Sequence, residues 1–237
     1  MELIPVKTRI MKPPQDDLFV LFEESLTDLH EKDVVLISSK VVAIHQGRCV
    51  PIGSVNKADL VAEEAEYTIF TDYRDYPLTI KHHTFLGAAG IDESNSNEHY
   101  TLLPERPFET AAEIHGYLRR THNINELGVI ITDSRSQPFR YGATGVSLSF
   151  WGIEPLQNHI GKKDLFGREM KLERSNIIDG LASAAALVSG EVAECQPTVV
   201  ARDVPDLVFA EGNKKNELMA SPEDDTFRIL YERFFRS

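Results

Sequence analysis

The sequence predicts a chain of mixed α and β structure, and three observations carry that prediction. VVLISSKVVAI at residues 34–44 and the Val129-Ile130-Ile131 run are apolar and β-branched, as strands buried on both faces are. ATGVSLSFWGI at 143–153 alternates as a strand does. Residues 102–120 and 175–187 carry helix signals at their ends, with Pro107 and early acids opening the first and Gly190 closing the second.

In chain order, Leu3 to Ile10 alternates loosely and contains Pro5, which predicts an edge strand with Lys7 and Arg9 near its end. Asp16 and Asp17 open an amphipathic helix expected to run through Leu29. Asp33 turns the chain into the 34–44 strand, which Ser38, Ser39 and Lys40 interrupt. A small-small-Lys break can present N–H groups, hydroxyls and an ammonium to an anion, or be a bulge with a snorkelling lysine. Residues 55–66 predict a helix with an acidic face, and 73–81 predict irregular chain before His82-His83. In GAAGIDESNSN, residues 87–97, small residues permit close backbone approach, and Asp92, Ser94 and Asn95 supply polar side chains. Asp133 and Ser134 follow the Val129–Ile131 run, where the strand is expected to open into a loop. Asp133 could simply begin a turn, but Asp92 in a second acidic loop offers the paired oxygen ligands that a hard divalent cation takes. Beyond the polar loop 161–168, Ser175 is expected to cap the next helix, 197–204 to form a strand, and 221–235 a terminal amphipathic helix.

At 237 residues the chain can bury a sizeable core, as one large domain or two unequal ones. Its formal net charge of −12 argues against nucleic-acid and anionic-membrane partners. An acidic protein that handles phosphate must supply positive charge locally, from placed Lys or Arg or from metal ions. Cys49 and Cys195 form no disulfide or zinc-ligand pattern and are expected to be apolar filler. The N-terminal stretch lacks a long apolar core, so a cytoplasmic location is expected.

Taken in order, IPVKTR at 4–9, DVVLISSKVVAI at 33–44, GAAGIDESN at 87–95, LLPERPFETA at 102–111, GKKDLFGRE at 161–169, SGE at 189–191 and PTVV at 197–200 resemble the coenzyme F420-0:γ-glutamyl ligase family. The resemblance implies an α+β fold of mixed sheets with flanking helices, two-lobed. It implies a catalytic domain over 1–204 of two intertwined lobes, with 205–237 as a C-terminal segment. It also implies a homodimer that uses GTP, a pair of Mg²⁺ or Mn²⁺ ions and a monovalent cation such as K⁺. The implied chemistry joins L-glutamate through its amine to an acceptor carboxylate activated as an acyl phosphate. Under it, Asp92, Asp133, Ser134 and Glu191 are expected metal ligands. Ile4, Pro5, Val6, Lys7, Ser38, Ser39, Lys40, Asn95, Gly190, Glu191 and Val192 are expected nucleotide contacts. Lys40, with Asp92 and Asp133, is expected to take part in catalysis.

The segment DSRSQPFR at 133–140 departs from the family's D-T-F-G-R-P-W-R, so Arg135, Gln137 and Arg140 are expected to contact the acceptor. The departure points to an acceptor other than F420-0, such as a folate-like pterin or a glutamyl peptide. Two other readings stay open: a metal-dependent nucleotide phosphohydrolase and a non-catalytic nucleotide-binding homologue.

Overall fold

The computed structural model describes residues 1–69, 77–221 and 223–232. The elements begin with β1 (Glu2–Val6), α1 (Leu18–Ser25), β2 (Val34–Ser38), α2 (Ser39–His45), β3 (Cys49–Pro51), α3 (Lys57–Glu64) and β4 (Tyr67–Ile69). They continue with β5 (Leu78–Lys81), β6 (Thr84–Gly87), a 3₁₀ turn (Ala88–Gly90), β7 (His99–Thr101), α4 (Pro107–His122), β8 (Gly128–Ser136) and β9 (Ala143–Trp151). The chain then runs through β10 (Leu156–Asn158), β11 (Arg174–Asn176), α5 (Ile177–Ser189), β12 (Thr198–Arg202), α6 (Lys215–Leu218) and α7 (Arg228–Tyr231).

A five-stranded sheet in the order β1-β12-β2-β8-β9 is the frame, with β2 and β8 parallel and the other neighbours antiparallel. β2 is central and apolar on both faces because both are covered. Val35, Ile37, Val129 and Ile131 face a core shared with α1, α2 and α4, whereas Val34, Leu36 and Ile130 face one shared with α5. Fully burying each such side chain contributes about 1.5–3 kcal/mol. A separate, smaller core gathers Leu60 and Val61 of α3 with Ala88, Ala89, Ile91, Tyr100 and Leu102. The architecture is thus mixed α and β with several sheets, compatible with α+β. Among the described residues no helix is long and apolar enough to cross a membrane.

Pro5 lies in β1 at the sheet edge, where a missing N–H costs no ladder bond. Gly145 in β9 lets α5 lie directly on the sheet, since a Cβ there would stand 2.2 Å from the Ala182 carbonyl oxygen. Asp33 is fully buried at the start of β2 and accepts from Arg202 Nε and Nη2 at 2.9 and 2.8 Å. That fork joins β12 to the loop before β2.

The structure corrects several expectations. Residues 34–44 are not one strand: after Ser38 the chain turns helical, because Val41, Val42 and Ile44 bury at helical spacing beneath the sheet. α1 ends at Ser25 rather than Leu29, since the backbone beyond it is engaged elsewhere: His30 N–H donates to Asp33 and Arg202 donates to the Asp28 carbonyl. Asn176, not Ser175, caps α5, accepting the Asp179 N–H at 3.0 Å. His82 and His83 are the two central residues of the β5–β6 turn, both with positive φ. Part of the irregular 73–81 stretch and of the terminal helix over 221–235 falls outside the described residues; within them 78–81 form β5, and helix appears at 228–231.

Candidate functional site

Parallel pairing brings two expected segments to one end of the sheet. Ser38 of β2 stands opposite Thr132 of β8, so the Ser38-Ser39-Lys40 break leaves the carboxyl end of β2 beside Asp133 of the neighbouring strand. Such ends are where open sheets with parallel strands commonly bind ligands. Ser39 is buried as the first residue of α2, and Lys40 projects from the same turn.

Asp92 arrives from a strained turn. Ala88 and Ala89 have φ of 48° and 55°, a left-handed conformation costly for residues with a Cβ. Their N–H groups are held by the Pro77 carbonyl at 2.9 Å and the Thr79 hydroxyl at 2.8 Å. The Asp92 backbone then exchanges hydrogen bonds with Thr101. On this rigid base Asp92 Oδ2 lies 2.6 Å from Lys40 Nζ, which also donates to the Ser94 carbonyl at 2.7 Å. The Ser94 N–H and hydroxyl donate to the Asp92 carboxylate at 2.7 and 3.1 Å. Burial pushes the Asp92 carboxyl upward, but Lys40 and Ser94 together outweigh it and hold the group below its ordinary value. Ser94 is the participant that sequence reasoning left out of the site. Its signal was the Asp-x-Ser spacing, which lets an aspartate accept from the backbone two residues on.

The Asn95 side chain donates to the Val192 carbonyl at 2.7 Å, tying this loop to the segment after α5. Gly190 turns that segment with φ +79°, where a Cβ would meet the Glu194 side chain at 2.4 Å. Glu191 is exposed beside it.

Asp133 is not at a strand–loop junction, because β8 continues to Ser136 and pairs Asp133 with Val146 and Ser134 with Gly145. Successive strand residues face opposite sides, so Ser134 reaches the Asp133 carboxylate through its N–H at 2.8 Å rather than its hydroxyl. The Asp133 carboxyl is pushed up to about 7, first by burial; the Ser134 N–H and Lys40 oppose this, while the charges of Asp92 and Glu191 add to it. Asp92, Lys40, Asp133 and Glu191 therefore share one electrostatic site.

Other candidates sit apart from these contacts. Ile4, Pro5 and Val6 pair with β12, Ile4 and Val6 pack on the first core, and Lys7 is exposed. Gln137 and Arg140 are exposed in the β8–β9 turn, where the Arg140 side chain donates to the neighbouring Phe139 carbonyl and its backbone N–H to the Gln137 carbonyl. Arg135 is half-buried in β8 opposite Thr144. Burial pushes the Cys49 thiol upward, away from nucleophilic use.

The pattern of the family described as F420-0:Gamma-glutamyl ligase matches residues 5–203. The chain belongs to the F420-0:gamma-glutamyl ligase family. It is 33% identical to a protein of Methanopyrus kandleri named coenzyme F420:L-glutamate ligase, over 96% of this chain and 97% of that one. A protein of the same name from Halorubrum lacusprofundi is 35% identical over 79% of this chain and 81% of its own. Another from Methanocaldococcus jannaschii is 38% identical over 65% and 61%.

Family membership raises the question of whether these residues suit a divalent cation. In kind they do: Asp92, Asp133 and Glu191 are hard oxygen donors, and burial and like charges disfavour the Asp133 carboxylate, which a bound cation would favour. In placement, no three His, Cys, Asp or Glu side chains among the described residues are gathered closely enough to hold a metal ion. The ammonium of Lys40 is the cation on Asp92.

Proposed function

We propose that this family member is a GTP- and divalent-metal-dependent glutamate ligase. It joins the amine of L-glutamate to the carboxylate of an acceptor such as F420-0 or a related carboxylate. The observation that carries the reading is the Lys40–Asp92 pair at the carboxyl end of β2, with Asp133 on the neighbouring strand β8. Phosphoryl transfer is mostly positioning and charge neutralisation, which a lysine held in place by a carboxylate suits. Asp92, Asp133 and Glu191 would hold the divalent ions, which neutralise the triphosphate when bound, while Ser134, whose hydroxyl faces away, holds Asp133 through its N–H. A homodimer, a catalytic domain over 1–204 and a monovalent cation belong to the same reading.

In this mechanism an oxygen of the acceptor carboxylate attacks the γ-phosphorus of GTP and GDP leaves. The glutamate amine then attacks the acyl carbon, inorganic phosphate leaves, and the nitrogen gives up a proton to form the amide. Lys40 binds phosphate oxygens, and Ser94 holds Asp92 in place. The names of the relatives support F420-0 as acceptor, while the altered segment 133–140 supports an acceptor of different shape, such as a folate-like pterin or a glutamyl peptide.

Mass spectrometry of products from an acceptor panel with GTP, glutamate and Mg²⁺ or Mn²⁺ tests the proposal. A product heavier than the acceptor by one or more glutamyl units is expected. Phosphate release indifferent to both glutamate and acceptor would instead identify a hydrolase.

A further inference from the structure

Arg135 is set apart by where its unpaired donor lies. Arg9, Arg48, Arg119 and Arg202 each pair with a carboxylate, and Arg140 is unpaired by any carboxylate among the described residues but exposed. Arg135 makes no ion pair among the described residues, and its Nε is buried with no hydrogen-bond partner. An acidic protein offers arginine many partners, and a donor stripped of water without an acceptor is unfavourable, so such an atom calls for an explanation. Strand alternation puts Arg135 on the same face of β8 as Asp133, roughly 7 Å further along the strand. Beyond it, Gln137 and Arg140 are exposed in the turn, so only Arg135 of the three combines a fixed strand position with an unused donor.

We propose that Arg135 recognises an anionic group of the acceptor, a carboxylate or phosphate oxygen beside the reacting carboxylate, and so sets acceptor specificity. The inference rests on the ligase reading for the identity of the ligand. A guanidinium meets such oxygens with paired, charge-assisted hydrogen bonds, which a lysine replaces only in part. The nucleotide is served from the Lys40 side, so the effect should fall on the acceptor alone.

The test compares wild type, Arg135→Met and Arg135→Lys, using F420-0 and tetrahydrofolate as probes. Binding of each probe is measured by calorimetry, and KM for probe, GTP and glutamate is measured wherever product forms. Arg135→Met should weaken binding of the acceptor by about 10- to 100-fold, leave KM for GTP and glutamate within about twofold, and be partly rescued by Arg135→Lys. The melting temperature of Arg135→Met should not fall, because its Nε holds nothing in the free protein; a fall would indicate a structural role. Equal affinity of wild type and variant for both probes, including none for either, overturns the assignment, as does a loss confined to GTP. Wild type that binds a probe more tightly than the variant yet forms no glutamyl product sinks the ligase reading and leaves the Arg135 assignment standing.

Discussion

Lys40 Nζ lies 2.6 Å from Asp92 Oδ2, joining the first turn of α2 to a loop at the edge of a different core cluster. The pair is only part-buried, so its contribution to stability is small, about 1 kcal/mol or less. Its worth should therefore appear in turnover. Lys40→Met is expected to lower glutamate-dependent GTP turnover by about 100-fold or more while shifting the melting temperature little. Turnover within a few-fold of wild type would remove Lys40 from the phosphate site.

Asp133→Asn keeps the shape of the side chain and an acceptor for the Ser134 N–H. It removes the ionisable carboxyl on which the charges of Asp92 and Glu191 act. We expect metal-dependent turnover to fall by about 100-fold or more, without a lower melting temperature. A destabilised but active variant would show that Asp133 serves the fold and not the chemistry.

Arg202 and Asp33 make the opposite case, a pair that serves the fold. Arg202→Met would leave the fully buried Asp33 carboxylate without its forked partner. A loss of about 3–5 kcal/mol is expected, read from denaturant midpoints. The further change Asp33→Asn should recover much of it, and no recovery would mean that the guanidinium acts through packing alone.

The Arg9 hydrogen bonds and charge draw the Asp16 carboxyl from 3.8 down to about 2. Because the folded value is the lower one, the stability from this pair is present above the ordinary carboxylate pKa and disappears as pH falls from 3.8 towards about 2. The pair is partly exposed, so the effect should stay under about 1 kcal/mol. Urea midpoints of wild type and Arg9→Met should differ near pH 6 and converge near pH 2; a constant gap would assign the effect to packing.

Much of this arrangement was legible beforehand. The buried strand character of 34–37 and 129–131 follows from β-branched runs, the helix expected over 55–66 is α3 at 57–64, and α4 follows Pro107 at its start. The helix over 39–45 was not legible, because Val41, Val42 and Ile44 suit a buried strand as well as a helix packed under a sheet. Nor was the continuation of β8 through Ser136, where polar residues look like a loop until β9 pairs with them.

By itself the sequence determined the apolar strands, the capped helices, the family, and the residue types that could meet phosphate and metal, because these depend on local composition and on order along the chain. Only the tertiary structure decided which of them meet. Parallel pairing of β2 with β8 set Ser38 opposite Thr132, and the strained turn at Ala88-Ala89 aimed Asp92 at Lys40. Strand alternation separated the Asp133 carboxylate from the Ser134 hydroxyl and left Arg135 on the Asp133 face. Register, facing and the desolvation of a charge arise from contacts between distant segments, and no local stretch of sequence encodes them.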